Sequence, residues 1–162
     1  ELGLIGVLFH VFTHAVMQTT AFLAATIVTK KVGRTDLNSF KGLGNRMPLT
    51  ALTFTVSLLA LAGIPPLNGF WSKLVLFTAA IDGGFTWLAI AGAINSAFSL
   101  GYYAWVIKRM YLDEAEIKLK LQESKIFSTV LIIATVIIII TGIYPAPIYE
   151  FARLAVSTLG VI

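Results

Sequence analysis

Residues 61–73 read Leu61-Ala62-Gly63-Ile64-Pro65-Pro66-Leu67-Asn68-Gly69-Phe70-Trp71-Ser72-Lys73, and this stretch decides the fold. It lies inside an apolar run from Pro48 to Ile81 whose single charge is Lys73. Two adjacent prolines remove two backbone donors, and each ring clashes with the turn before it. A continuous helix cannot pass through that point. The run is therefore expected to form two half-helices, about 48–62 and 69–82, with the break at Gly63, Pro65, Pro66 and Gly69.

Working outward, residues 2–29 hold no Asp, Glu, Lys or Arg. As a helix they extend about 42 Å at 1.5 Å per residue, more than a hydrocarbon core of about 30 Å requires. Further spans are expected over about 85–107, between Asp82-Gly83-Gly84 and Lys108-Arg109, and over about 126–144, up to Tyr144-Pro145-Ala146-Pro147. The tail, 148–162, places Ile148, Phe151, Leu154, Ala155 and Leu159 on one face, as a short helix at a membrane interface would. The composition agrees. Of 162 residues, 57% are hydrophobic and only 12% charged, where soluble domains carry about 25% charge. A soluble domain of this size would lack a charged shell. The expected class is an all-α integral membrane bundle, residues 1–147, with one discontinuous helix and an interfacial tail.

Charge distribution orients the bundle. The net charge is +4, but ten of the twelve Lys and Arg lie in loops 30–47 and 108–125, beside apolar segments. That is a topology signal rather than a nucleic-acid footprint. If 48–82 crosses once, as a broken span, both positive loops face one side. If it crosses twice they face opposite sides, against the usual bias. One broken crossing is the expectation, with both chain ends on the non-cytoplasmic side of a cell or inner membrane. The chain starts with Glu1 rather than Met and runs straight into apolar sequence, which suggests the later part of a longer polypeptide.

An ionisable side chain inside a span costs about 2.5–3.5 kcal/mol on insertion scales and is a functional hypothesis by default. Lys73 lies one turn after the Pro-Pro break, where unpaired backbone groups and water can collect. A lysine able to switch between charged and neutral forms is a usable proton site. The competing reading is a lysine that snorkels to the interface. His10, His14 and Gln18 fall at i, i+4 and i+8, giving the first span a polar stripe. Histidine can accept a proton on one ring nitrogen and release one from the other; the plainer reading is two buried, hydrogen-bonded histidines. Asn68 and Ser72 add polarity beside the break. Asn95, Ser96 and Ser99 read as helix packing, since Gly92 and Ser96 have small-xxx-small spacing. The charges between Lys108 and Lys125 read as a solvated connector.

Much chemistry is excluded. With no cysteine, thiolate zinc sites and cysteine-ligated iron–sulfur clusters are ruled out. Two histidines without a carboxylate inside a span make a poor metal site. No dinucleotide-binding glycine pattern or P-loop occurs, and no catalytic triad or carboxylate pair is present.

The 61–73 stretch resembles the A-G-I-P-P-x-x-G-F-x-x-K motif of antiporter-like membrane subunits in respiratory complex I and its relatives. The preceding Asp36…Lys41-Gly42-Leu43…Arg46-Met47-Pro48 and the helix from His10 to Phe22 are similar to the same family. Asn95…Tyr102-Tyr103 and Gly142-Ile143-Tyr144-Pro145…Arg153-Leu154 are most like the C-terminal third of subunit N of NADH:quinone and deazaflavin-type dehydrogenases.

The resemblance implies part of an inverted-repeat, antiporter-like fold. It also implies a non-redox subunit of a translocating dehydrogenase, carrying protons along a Lys/His axis. Lys73 matches the lysine of the second discontinuous helix, and His10 and His14 match polar relay positions. Gln18 departs from the lysine many members have there. Iron–sulfur clusters, flavin or quinone are implied only in partner subunits, with no cofactor or metal in this chain. The expected partners are other membrane subunits, lipids and protons, without nucleic acid. The alternatives are a multisubunit sodium/proton antiporter and a purely structural subunit.

Overall fold

A computed structural model describes residues 1–115 and 119–158 of the chain. Among the described residues it holds seven α-helices and no strand. The helices are α1 (Leu2–Val32), α2 (Leu43–Arg46), α3 (Pro48–Ala62), α4 (Asn68–Asp82), α5 (Thr86–Tyr111), α6 (Lys125–Ile143) and α7 (Ala146–Thr158). Glu116 and Lys118 of the charged loop, and Leu159 of the tail face, lie outside the described residues.

Local chemistry sets most boundaries. α1 runs three residues beyond its uncharged stretch, so Lys30 and Lys31 form its last turn, where cations complement the negative end of the helix dipole. Proline occupies the first position of α3, where its missing N–H is not needed. α3 ends at Gly63, whose φ of +89° is left-handed and whose N–H returns to Leu59 and Ala60 carbonyls. The Pro65-Pro66 bond is cis, and α4 restarts at Asn68. α5 continues four residues past residue 107, carrying Lys108 and Arg109 in its last turn.

The linkers are structured. Between α1 and α3 the chain makes a 3-10 turn at Leu37–Phe40 and then the single turn α2. Arg109 ties this region to the end of α5. Its carbonyl accepts from the Gly42 N–H at 3.2 Å, and its guanidinium donates to Asn38 at 3.3 Å. The stretch before α6 is anchored too, rather than being a purely solvated connector. The Leu121 N–H donates to the Arg46 carbonyl. Glu123 accepts from the Thr50 N–H at 2.8 Å and from its hydroxyl at 2.7 Å, so a carboxylate 73 residues away caps α3.

α1 is the central helix, packing on α3, α4, α6 and α7. The main core joins Met17, Ala24 and Val28 of α1 to Leu58 and Leu61 of α3 and Leu131 and Ile138 of α6. A second cluster seats Ala152 and Val156 of α7 against Ile5 and Phe9 of α1. The outside is apolar: Trp87 and Phe98 of α5 are 67% and 73% exposed. α1, α5 and α6 are each long and apolar enough to span a bilayer, whereas α3 is a shorter apolar helix.

A polar cavity at the helix break

Because α3 stops and α4 restarts within six residues, two carbonyls at the end of α3 have no next turn to bond. Lys73 of α4 turns back to them. Its Nζ donates to the Leu61 carbonyl at 2.8 Å and to the Ala62 carbonyl at 3.1 Å, and a third bond reaches Ser96 Oγ on α5 at 3.1 Å. The three donors of an ammonium are thereby matched by three oxygens. The site lies at the negative end of the α3 dipole, where a cation is favoured. The lysine stem passes over Gly63, where a Cβ would lie 3.0 Å from Lys73 Cδ.

On the preceding residue of α4, Ser72 is fully buried and its Oγ lies 2.9 Å from Nδ1 of His10 on α1. The same hydroxyl reaches the Gly69 carbonyl at 3.3 Å. Ser72 therefore has two arrangements. It donates to Gly69 while accepting from a protonated Nδ1, or it donates to a bare Nδ1. The hydroxyl follows the imidazole's protonation. His14 stands one turn further along α1, its ring centroid 5.4 Å from that of His10. Lys73, His10, His14, Asn95, Ser96 and Tyr103 line a common cavity of about 300 Å³.

The structure thus brings Lys73, His10, His14 and Ser72 together. Gln18 is half-buried, does not line the cavity, and its side chain makes no hydrogen bond among the described residues. Asn68 is fully buried beside the break, its side-chain nitrogen and oxygen unpaired among the described residues. Gly63, Pro65, Pro66 and Gly69 form the break itself. Ser96 is the residue sequence reasoning missed. Its spacing from Gly92 suggested packing, and that too is present, because a Cβ on Gly92 would strike the Phe77 ring. One signal could have found it: Asn95, Ser96 and Ser99 place three polar side chains on one flank of an otherwise apolar helix.

Behind the break, Trp71 Nε1 donates to the Gly142 carbonyl of α6 at 2.7 Å. A Cβ on Gly142 would lie 2.7 Å from Leu67 Cα and would also strike the Pro66 carbonyl. The absence of a side chain there lets α6 press directly against the break. No group of three or more metal-ligating side chains occurs among the described residues.

Comparison with known proteins places this geometry in a family. F(420)H(2) dehydrogenase subunit N of Methanosarcina mazei is 41% identical over 97% of this chain and 34% of its own length. NADH-quinone oxidoreductase subunit N of Desulfitobacterium hafniense is 38% identical over 97% of this chain and 32% of its own. The chain thus spans about a third of the length of the curated relatives it matches. Among solved structures, the membrane-bound sulfane sulfur reductase, an archaeal respiratory membrane complex, superposes with a TM-score of 0.90 at 33% identity, covering 97% of this chain and 32% of the other. Respiratory complex I from Thermus thermophilus superposes at 0.78 and 25% identity, over 91% of this chain and 34% of the other. Residues 1–99 match the transmembrane family of NADH:quinone oxidoreductases and Mrp antiporters. The chain is a multi-pass membrane protein and belongs to that antiporter-type family.

Proposed function

We propose that this chain forms the proton-translocating part of an antiporter-type subunit in a redox-driven, complex I-like assembly. One observation carries the reading: the Lys73 ammonium bridges the two halves of a broken helix and lines a polar cavity with His10 and His14. Protonated, Lys73 makes charge-assisted bonds to the carbonyls that end α3. Neutral, it loses that attraction, so a change of charge or hydration nearby shifts its proton. His10, relayed by Ser72, and His14 extend the path. The redox step belongs to partner subunits bearing iron–sulfur clusters, flavin or quinone, and this chain supplies no redox centre. The likeness to subunits of dehydrogenases and to a respiratory membrane complex supports placing the chain in such an assembly.

In the proposed orientation α3 and α4 make one broken crossing. The lysine-rich loops face the cytoplasm, both chain ends lie on the opposite side, and the tail rests at the interface. The test is Lys73→Ala in the intact complex in native membranes, with proton uptake and electron transfer measured together. Loss of pumping in an assembled complex is expected, and full pumping would sink the assignment. Sodium-dependent transport without any electron donor would move the chain to the cation/proton antiporters. If neither Lys73→Ala nor His14→Ala altered transport, the role would be structural.

A further inference from the structure

The outer surface between α1 and α6 carries a groove that the proton site does not use. The part lying deeper along the spans, a shallow recess of about 420 Å³, is lined by Val16, Thr20, Ile133, Ala134 and Ile137. A second part, about 430 Å³, is lined by Leu23, Ile27, Lys30, Lys31, Ser124 and Phe127. The two parts abut. Leu23 follows Thr20 by three residues on α1, and Phe127 precedes Val130, which also lines the first part, by three on α6, so each helix presents one unbroken stripe. From Ser124 to Ile137 the groove is about 20 Å long at 1.5 Å per residue.

Its two ends differ in chemistry. The deep end is aliphatic, and the Thr20 hydroxyl there is already donated to the Val16 carbonyl at 2.7 Å. The outer end holds Lys30 and Lys31, both exposed and neither ion-paired among the described residues. Beside them α6 begins. Its cap residue Ser124 makes no side-chain cap bond, so a hydroxyl and the first backbone N–H groups of a 19-residue helix share the mouth with two ammonium groups. An occupant must be apolar for about 20 Å and anionic at one end.

We propose that this groove is a binding site for one anionic phospholipid, its acyl chain along Val16, Ile133 and Ile137 and its phosphate between Lys30, Lys31 and the start of α6. Basic pockets between spans suit acidic headgroups, and each nearby Lys or Arg adds to the attraction. A neighbouring protein helix would cover the aliphatic floor but leave two ammonium groups without counter-charge. The groove shares no lining residue with the polar cavity, so its occupant would hold α6 against α1 without entering the proton site.

The test uses the intact complex, purified in mild detergent and titrated with phosphatidylglycerol or phosphatidylcholine, with bound lipid counted by native mass spectrometry. A Lys30→Gln, Lys31→Gln double variant is expected to bind phosphatidylglycerol roughly tenfold more weakly or worse, with phosphatidylcholine unaffected. Ala134→Phe, which fills the deep end, should weaken both. Electron cryo-microscopy of the unaltered complex should show an elongated lipid density in the groove, which keeps the idea testable if a variant fails to assemble. Phosphatidylglycerol binding indifferent to both changes, or a protein helix lying in the groove, would overturn the proposal.

Discussion

The ammonium of Lys73, carried by the second half of the broken helix, lies 2.8 Å from the carbonyl oxygen of Leu61 at the end of the first half. One titratable side chain therefore completes the hydrogen bonding of a helix terminus, and its charge state is coupled to the backbone at the break. Losing the proton weakens the only side-chain bonds recorded between α3 and α4 among the described residues. In the proposed function the lysine is both a proton site and a fastener, and its neighbours can be changed one at a time to separate the roles.

Gly63 is the first such neighbour. It holds φ at +89°, a conformation that costs about 1–2 kcal/mol with a Cβ present. The added methyl would also press on Lys73 Cδ at 3.0 Å. Gly63→Ala should lower the thermal stability of the solubilised complex by that amount and slow pumping several-fold, because the amine is pushed off its carbonyls. Unchanged pumping with lowered stability would show that the seating of Lys73 on Leu61 and Ala62 does not matter to transport.

Ser72 tests the imidazole branch. Ser72→Ala removes the oxygen 2.9 Å from His10 Nδ1, a bond worth about 0.5–1.5 kcal/mol net. Stability should fall within that range, and pumping by up to about tenfold if His10 relays protons through this hydroxyl. Ser72→Thr keeps the oxygen and should restore most of the rate. If Ala and Thr variants pump alike, His10 is held there for packing.

How much of this could be read in advance depends on the distance between partners in the chain. The broken helix, its limits near residues 62 and 68 and the exceptional Lys73 were legible because proline chemistry and an isolated charge are local signals. The long uncharged stretch before Lys30 likewise announced α1. Ser96 and Glu123 were not legible. Ser96 meets Lys73 across 23 residues and Glu123 meets Thr50 across 73, and no periodicity reports which serine or glutamate of a polar set will find a partner. The 3-10 turn and α2 escaped for the opposite reason. They are single turns held by tertiary bonds such as Gly42 to Arg109, and short helices have almost no pattern of their own.

Gly142 gives the sharpest test of how the break is held from behind. An alanine there would meet the Pro66 carbonyl, Leu67 Cα at 2.7 Å and the Asn68 nitrogen at 2.8 Å. These are backbone atoms that cannot swing aside, so α6 must retreat from the break. Overpacking of this kind costs about 1–3 kcal/mol and occasionally more, and the Trp71 bond to the Gly142 carbonyl would be strained as well. Gly101 on α5 supplies the control, since a Cβ there meets nothing within 4 Å. Gly142→Ala should sharply reduce the yield of assembled complex and its melting temperature, whereas Gly101→Ala should leave both unchanged or slightly raise stability through better helix propensity. Equal tolerance of the two substitutions would mean that α6 is not clamped to the break, and that the position of Lys73 is set by α1, α3 and α5 alone.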